Sequence, residues 1–337
     1  PNDARSGAVE AVAPHEVGRT AAAQATRATA TALLDESGPA GNGSEDACAA
    51  RVRFLADLGN SLGEERAARL RNATAGLPRR TAVYAYISTG NILCMLDSTW
   101  MQARASFEGR ALIHVALDSA SHSYCESRMD WAAASNVTLR CANLSGWVPY
   151  KEDSATELTT KTDVGFRTCE YSMIVWAKPV VLLELSTSVD TLLLDSDILL
   201  SRGSEGSLLD WAEHHTQSST VLLAASQYAP VNPETWLWTF PCTGAVLATD
   251  KSQELIRQWI AQAPDSQVDD LGDQDGLQRL LVQRQELRDG IQLIPYHVLT
   301  ERALPGEYAT HYTYVDKIPA MKARGSWKPS LAGCDVV

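Results

Sequence analysis

The sequence has little of several features that define whole classes of protein. Basic residues are outnumbered: 29 lysines and arginines stand against 41 aspartates and glutamates, and the formal net charge is -12. A nucleic-acid-binding protein generally needs a basic surface that releases counterions, so this balance argues against such a partner. No run of about 18 apolar residues occurs, so we expect no membrane span in this chain.

Cysteine pairs at metal-binding spacing are also absent. None of the seven cysteines lies in a C-x-x-C pair, which argues against a zinc ribbon or a thioredoxin-like motif. Two interpretations remain open: buried free thiols, or disulfides formed in a secretory compartment with at least one cysteine left over. Four N-x-[ST] sequons favour the secretory compartment. They begin at Asn42, Asn72, Asn136 and Asn143. The chain begins at Pro1 rather than Met, which is compatible with removal of an N-terminal signal or anchor.

What is present is an ordinary globular composition, with 45% hydrophobic and 21% charged residues among 337. This composition supports a large core and excludes wholesale disorder. Residues 1–46 are rich in Ala, Thr, Ser and Gly, which predicts a flexible stem. Residues 47–80 have apolar positions at three- and four-residue steps, which predicts a helical lead-in. Residues 81–337 then form the main domain.

Apolar runs alternate with helical patterns through the main domain. This alternation predicts an α/β fold with a mostly parallel sheet, flanked by helices, whose ligands bind at the carboxyl ends of the strands. The predicted strands cover residues 81–88, 111–117, 137–140, 191–195, 220–226 and 244–248. The predicted helices cover residues 93–105, 169–185 and 252–263, with another beginning near 273.

Two carboxylates follow the most apolar of these strands. Asp195 and Asp197 come directly after the leucine run 192–194. Oxygen ligands of this kind suit Mg²⁺ or Mn²⁺, with a diphosphate completing the coordination shell. The structural alternative is an acidic turn at the end of the strand.

One enzyme class with this motif is the haloacid dehalogenase-like Mg²⁺ phosphatases. They need a nucleophilic Asp, an acid/base Asp, a Ser or Thr, a Lys and further acids. These positions could be filled in order by Asp195, Asp197, Ser226, Lys251 and Asp269 or Asp270. Against this hypothesis, the nucleophile of that class normally ends the first core strand, whereas strands 81–88 and 111–117 come earlier here.

The order and spacing of six segments give a more specific signal. They are Thr89-Gly90-Asn91, Ala116-Leu-Asp118, Trp176-Ala-Lys178 ahead of Asp195-Ser196-Asp197, Pro241-Cys-Thr-Gly244, Asp273-Gln274, and His311 with Lys317, Lys322 and Trp327 beyond. From Thr81 to Trp327 the chain resembles glycosyltransferase family 77 and its plant and algal nucleotide-diphospho-sugar transferase relatives. The resemblance implies a single catalytic domain with a GT-A-like, Rossmann-like fold. The sequence departs from the family's pattern at two places: Ser-Arg-Gly follows Leu200, and Gln278 stands where Asn is common. These differences affect the assignment of the subfamily, and hence of the sugar, more than that of the fold.

The resemblance also implies a set of site residues. Asp195, Asp197 and His311 would bind Mn²⁺ or Mg²⁺, while Asp273 and Gln274 would act at the sugar. The residues implied to contact the nucleotide sugar are Thr89, Gly90, Asn91, Asp118, Lys178, Asp195, Ser196, Gly244, Lys317 and Lys322. Only one of the last two lysines need neutralise the diphosphate, and the spacing does not choose between them.

Several of these residues have a plain structural explanation as well. His311 has the pattern of an ordinary histidine in a late loop, and Lys178 that of a solvated helix face. Asp273 has the pattern of a helix N-terminus, where acidic residues are favoured by the helix dipole. In each case the structural and the functional interpretations stay open at this stage.

The implied activity is metal-dependent, retaining transfer of galactose, arabinofuranose or xylose from a UDP-sugar to a glycoprotein or glycan. We expect the acceptor to stack on Trp236, Trp238 or Trp327. The compartment implied is the secretory pathway, in the Golgi lumen. Besides the phosphatase, a non-catalytic sugar-binding module is the second alternative.

Overall fold

A computed structural model describes residues 45–149, 169–226, 241–264, 272–300, 305–312, 316–332 and 334. Chain contacts divide the protein into Pro1–Asn42 and Gly43–Val337, and every described residue belongs to the second unit. The predicted stem thus lies outside the described residues, apart from its last two positions. The boundaries proposed for stem, lead-in and catalytic domain stay a prediction. Among the described residues, none of the helices has the length and apolarity needed to cross a membrane.

Helices and strands alternate along the described chain. The strands are β1 (Ala82–Ser88), β2 (Ala111–Ala116), β3 (Thr138–Asn143), β4 (Asp190–Leu194), β5 (Ile198–Leu200), β6 (Leu222–Ser226), β7 (Pro241–Ala248), β8 (Ile291–Ile294), β9 (Leu299–Thr300) and β10 (Ala309–His311). The α-helices are α1 (Glu45–Ala56), α2 (Leu58–Ser61), α3 (Gly63–Thr74), α4 (Leu93–Gln102), α5 (Arg104–Phe107), α6 (Ser119–Ser127), α7 (Met129–Ala134), α8 (Cys169–Leu185), α9 (Leu208–His215), α10 (Gln253–Ile260), α11 (Asp273–Gln283) and α12 (Lys317–Ala323). Every predicted strand and helix has a counterpart here.

In the described part of the chain, a seven-stranded sheet has the order β3-β2-β1-β4-β7-β6-β8. Strand β7 runs antiparallel to both of its neighbours, and the other pairs are parallel. All residues of β1 are buried because helices cover both faces of the sheet. Val83 and Ala85 point into one hydrophobic core and Tyr84 and Tyr86 into the other, as the two-residue period of a strand requires. The predicted mixed, mostly parallel α/β architecture is confirmed.

A second, three-stranded sheet has the order β5-β10-β9 and was not predicted. Its strands are two or three residues long, too short for a hydrophobic period to mark them. Strand β10 runs antiparallel to β5, with His311 opposite Ile198. This pairing brings the late part of the chain next to the Asp-x-Asp turn.

One predicted boundary is wrong. The strand predicted over residues 244–248 begins three residues earlier, so the segment Pro241-Cys-Thr-Gly244 lies inside β7. Pro241 pairs with Ser226 and Cys242 with Ala225, after a register irregularity in β6. The small residues serve close packing within the strand rather than a change of direction.

All seven cysteines lie among the described residues, and six of them form disulfides. The pairs are Cys48–Cys169, Cys94–Cys334 and Cys125–Cys141, and Cys242 is a buried free thiol. The first pair joins α1 to the start of α8, and the second joins α4 to the C-terminal segment. The disulfide interpretation of the cysteines is therefore the correct one, with one cysteine left over.

Strand β2 carries a fully buried histidine, His114. Its Nε2 lies 2.6 Å from Ser88 Oγ and 3.3 Å from Ser121 Oγ. Its Nδ1 meets no hydrogen-bond partner among the described residues. Burial, with a smaller contribution from nearby His122, lowers the pKa of His114 to about 3. The ring is therefore neutral in the folded protein at any ordinary pH.

This burial predicts a specific loss of stability in mild acid. Below the ordinary pKa of 6.5 the unfolded chain binds a proton at His114 that the folded chain does not bind until about 3. The contribution of neutral His114 to the free energy of unfolding is thus complete above pH 6.5. As the pH falls below this value, the free energy of unfolding decreases by about 1.4 kcal/mol per pH unit. Urea unfolding between pH 7.5 and 4.5 should show a shallower pH slope for His114→Gln than for wild type. The exposed His214→Gln is the control, and equal slopes for all three proteins would contradict the prediction.

Candidate metal and donor site

The Asp-x-Asp turn leaves the carboxyl end of β4 and is held from two sides. Asp195 N–H donates to the Gly244 carbonyl of β7 at 2.7 Å. From the other side, Thr99 Oγ1 of α4 donates to the Ser196 carbonyl at 2.9 Å. Ile198 N–H closes the turn on the Asp195 carbonyl at 3.1 Å. Asp197 becomes buried, while about a third of the Asp195 side chain stays exposed.

The small sheet brings His311 to this turn. Tyr312 N–H donates to the Asp197 carbonyl at 3.0 Å, next to the pairing of His311 with Ile198. One ligand atom each from Asp195, Asp197 and His311 lie within 4.8 Å of one another. Two carboxylates and one imidazole form a donor set that suits Mn²⁺. The three residues predicted to bind the metal are therefore brought together, and His311 lies in a strand rather than a loop.

Asp197 is the anionic centre of the site. His311 Nε2 lies 3.3 Å from its Oδ1, and Lys317 Nζ lies 3.0 Å from its Oδ2. Burial opposes ionisation, but Lys317 and His311 outweigh it and hold the pKa of Asp197 well below its ordinary value. Conversely, burial favours neutral His311, but Asp197 raises the histidine pKa well above its ordinary value. The protein thus keeps a charged carboxylate in a buried position.

Lys178 links the turn to the start of α11. Its Nζ lies 3.0 Å from Asp195 Oδ1 and 3.3 Å from Asp273 Oδ2. Burial works against its charge, yet the two carboxylates raise the pKa of Lys178 above its ordinary value. Burial also raises the pKa of Asp273, with Lys178 opposing and Asp195 adding to the effect. Lys178 is therefore not a solvated lysine on a helix surface. Its ammonium group points inward and is shared by two carboxylates.

Helix α11 presents Asp273 and Gln274 in its first turn, after Gly272 as the N-cap. Trp259 Nε1–H of α10 donates to the Asp273 carbonyl at 2.7 Å. Thr243 N–H of β7 lies 3.4 Å from Gln274 Oε1. The helix N-terminus predicted at Asp273 is confirmed. Asp273 also pairs with Lys178, which lines the site, so the structural and the functional interpretations of Asp273 are compatible.

Helices α8 and α11 pack closely enough to fix this geometry. A Cβ added to Gly276 would lie 2.3 Å from the ring of Trp176. The indole can therefore pack here only because Gly276 has no side chain. Close contact of the two helices holds Lys178 and Asp273 in register.

A pocket opens beside the Asp-x-Asp turn, with apolar walls and a charged end. Its lining residues come from the ends of β1 and β4 and from α4, α8 and α12: Ile87, Thr89, Ile92, Met95, Tyr171, Ile174, Val175, Lys178, Leu193, Leu194, Asp195, Ser196, Asp197 and Lys317. Sequence reasoning missed Tyr171 and Ile174. Tyr171 lies two helical turns before Lys178 and Ile174 one turn before it, and this spacing was the signal that could have found them.

Of the other residues predicted to contact the donor, some line this pocket and others do not. Thr89 lines it, and Gly90 and Asn91 follow in a short 3₁₀ helix. Asp118 instead caps α6: its Oδ1 accepts from Ser121 N–H at 2.7 Å and its Oδ2 from Gly90 N–H at 2.5 Å. In the structure Asp118 thus shapes the turn after β1, and its contact with the nucleotide stays a prediction.

The structure distinguishes the two late lysines. Lys317 begins α12 beside Asp197, whereas Lys322 is exposed on the same helix. Trp327 is half-buried against Met95, Tyr312 and Met321, close to the pocket wall. Trp236 and Trp238 lie outside the described residues. Lys317 is therefore the lysine placed to act at the site.

The geometry weakens the phosphatase alternative. Strand β7 runs antiparallel to β4, and Ala248 pairs with Thr191. The segment after Ala248 therefore lies at the amino end of β4, whereas Asp195 lies at its carboxyl end. Lys251 lies at the amino end and donates to the Ser218 carbonyl at 2.9 Å. It cannot meet a phosphate at Asp195, although Ser226 does end β6 on the side of the site. Asp269 and Asp270 lie outside the described residues.

Comparison with known proteins supports the fold. No family model matches the chain, and no curated protein matches its sequence. The chain is similar to the apo form of the glycosyltransferase GlyE of Streptococcus pneumoniae TIGR4, with 14% identity and a TM-score of 0.51 over 76% of this chain. It spans 61% of that protein's length. It is also similar to the galactosyltransferase LgtC in complex with donor and acceptor sugar analogs, with 12% identity over 72% of this chain and 94% of LgtC and a TM-score of 0.46.

An identity this low shows the fold alone. The fold is GT-A-like: a mixed α/β domain with a mostly parallel sheet flanked by helices. The likeness does not single out family 77, and the chemistry has to be argued from the side chains.

Proposed function

We propose that this protein is a metal-dependent glycosyltransferase that uses a UDP-sugar as donor. The observation that carries the proposal is the group formed by half-buried Asp195 with buried Asp197 and His311, at one end of an apolar pocket. A pocket with apolar walls and a cation-binding end suits a planar base joined to a diphosphate. The predicted motif and the GT-A-like fold support the same assignment.

The donor set fits Mn²⁺, or Mg²⁺ with less benefit from the imidazole. Three ligand atoms within 4.8 Å leave the rest of the coordination shell for water and diphosphate oxygens. A bound divalent cation would act as a Lewis acid that stabilises the negative charge of the departing diphosphate. Lys317 and His311 both lie next to the carboxylate of Asp197.

The protein's own residues account for binding and orientation. The pocket walls formed by Ile87, Ile92 and Tyr171 would hold the base and exclude water. Lys317, with about a quarter of its side chain exposed, can turn from Asp197 toward a phosphate oxygen. Asp195 and Asp273, held by Lys178, would accept hydrogen bonds from sugar hydroxyls, with Gln274 alongside.

We further propose a retaining reaction, in which the leaving phosphate takes the proton of the acceptor hydroxyl. The new glycosidic bond then forms on the face from which UDP leaves, and UDP carries away the bonding electron pair. The donor sugars proposed are galactose, arabinofuranose and xylose, and the acceptor is a glycoprotein or glycan. These assignments are supported by the resemblance to family 77.

A thermal-shift and product-release panel tests the proposal. UDP-galactose, UDP-arabinofuranose and UDP-xylose, each with Mn²⁺, should raise the melting temperature, and one of them should release UDP. A saturating ligand at a hundred times its Kd stabilises by about 2.7 kcal/mol, which is readily measured. Hydrolysis of an aryl phosphate without UDP release would instead support the phosphatase. Tight UDP binding without turnover of any sugar would support a binding module.

We also propose that the protein functions in the secretory pathway, in the Golgi lumen. The three disulfides and the sequons support an oxidising compartment. Among the sequons in the described part of the chain, the one at Asn136 is well placed: its Asn is exposed in a turn and Thr138 is exposed on β3. By contrast, Asn143 Oδ1 accepts from Ser145 N–H at 2.9 Å. Protein secreted from a eukaryotic host should lose mass on N-glycanase treatment, and Asn136→Gln should reduce that loss. An unglycosylated wild-type protein would contradict the proposed compartment.

A further inference from the structure

Cys242 is the buried cysteine left outside the three disulfides, and it lies against the metal-ligand histidine. Its Sγ is 3.7 Å from His311 Nδ1. The same sulfur accepts a hydrogen bond from Gly244 N–H at 3.4 Å. The Cys242 and His311 residues are 4% and 5% exposed, so no bulk solvent supplies an alternative partner to this nitrogen.

The two ring nitrogens of His311 have different surroundings. Nε2 faces Asp197 Oδ1 at 3.3 Å, on the side of the metal group, while Nδ1 faces the sulfur. An imidazole that binds a cation through Nε2 must carry its proton on Nδ1, and that proton needs an acceptor. Cys242 Sγ is placed to be this acceptor.

Strand β7 explains why the sulfur and the ring meet. Both Cys242 and Gly244 lie against the ring of His311. A Cβ added to Gly244 would lie 2.6 Å from His311 Cε1, so the bare glycine lets the ring lie against the strand. Thr243, between them, directs its N–H to Gln274 instead. The segment Cys242-Thr243-Gly244 therefore contacts both the metal group and the first turn of α11.

We propose that Cys242 is a positioning residue for the metal site, which accepts the Nδ1 proton of His311 and so keeps Nε2 available to the cation. The inference rests on the proposed metal site and adds to it a residue that contacts neither metal nor sugar. Ligand histidines are generally held by such a partner on the second ring nitrogen, and loss of that partner weakens metal affinity about 10- to 100-fold. Here the partner is a sulfur.

Electron paramagnetic resonance titration of Mn²⁺ in the presence of UDP tests the proposal. The matched variants are Cys242→Ala and Cys242→Ser, which both shorten the side chain but differ in whether an acceptor remains. We expect the Kd for Mn²⁺ to rise about 10- to 100-fold in the alanine variant and the serine variant to recover part of this loss. The absorption spectrum of bound Co²⁺ reports on its histidine ligand. We expect this spectrum to change in the alanine variant and to return partly toward that of the wild type in the serine variant.

The outcomes separate this inference from the proposed function. If Asp197→Ala abolishes Mn²⁺ binding but Cys242→Ala retains the wild-type Kd, the metal site stands and the role of Cys242 is overturned. Equal weakening in the alanine and serine variants would also overturn it, since altered packing then explains the effect. If the wild-type protein binds no Mn²⁺ with UDP, the metal site and the inference both fail. Metal-free melting temperatures verify that each variant is folded.

Discussion

Replacing Asp197 with asparagine is expected to lower the rate of UDP release about a thousandfold, which corresponds to about 4 kcal/mol of transition-state stabilisation. The substitution keeps the shape of the side chain but removes the charge that faces both His311 and Lys317. Without that charge the site loses an anionic ligand, and Mn²⁺ affinity should fall with the rate. Calorimetric titration of Mn²⁺ and UDP, together with the UDP-release assay, measures both effects.

The control for Asp197→Asn is an acidic residue of the same type away from the site. Asp130 is exposed on α7, so Asp130→Asn should leave both Mn²⁺ affinity and UDP release unchanged. The metal assignment would be wrong if Asp197→Asn bound Mn²⁺ and UDP as the wild type does. Loss of turnover with unchanged metal affinity would also count against it, because the proposed role of Asp197 begins with the cation.

The main sheet could be predicted from the sequence because a run of adjacent apolar residues marks each of its longer strands. Continuous apolar runs such as 111–117 are typical of strands buried on both faces, and the structure places β2 there. The Asp-x-Asp motif could be found for the same reason, since Asp195 and Asp197 directly follow such a run. Features that depend on a few adjacent residues were therefore accessible from the sequence.

The contacts that build the site were not accessible in this way, because they join distant segments. Nothing around Lys178 indicates that it lies between Asp195 and Asp273, which are brought together by separate elements. The pairing of β10 with β5 has no periodic signal, so His311 could be proposed as a ligand only through the family resemblance. Cys242 was one of seven cysteines until the disulfides accounted for the other six.

Replacing Lys178 with methionine is expected to destabilise the protein by about 3 kcal/mol and to abolish UDP release. The substitution leaves Asp273, which is buried, and Asp195 next to each other without the cation between them. We place the loss at the lower end of the range for a broken buried ion pair because Asp195 is about a third exposed and keeps contact with water. Urea unfolding at pH 7.5 measures the loss of stability.

The cost of Lys178→Met should depend on pH in a definite direction. Burial already raises the pKa of Asp273 above its ordinary value, and removal of Lys178 takes away the charge that lowers it. A carboxyl with a raised pKa in the folded state destabilises fully above that pKa, and the cost disappears as the pH falls below it. The difference in unfolding free energy between Lys178→Met and wild type should therefore be largest near pH 8 and shrink toward pH 5.

A second substitution separates charge from packing in this prediction. Asp273→Asn removes the more buried carboxylate, so the double variant with Lys178→Met should recover most of the lost stability, while UDP release stays absent. Lys322→Met, at an exposed lysine of α12, is the matched control and should change neither quantity. If the double variant were as unstable as Lys178→Met, the loss would come from the aliphatic packing of the lysine. The charged link between the Asp-x-Asp turn and α11 would then have no part in holding the site together.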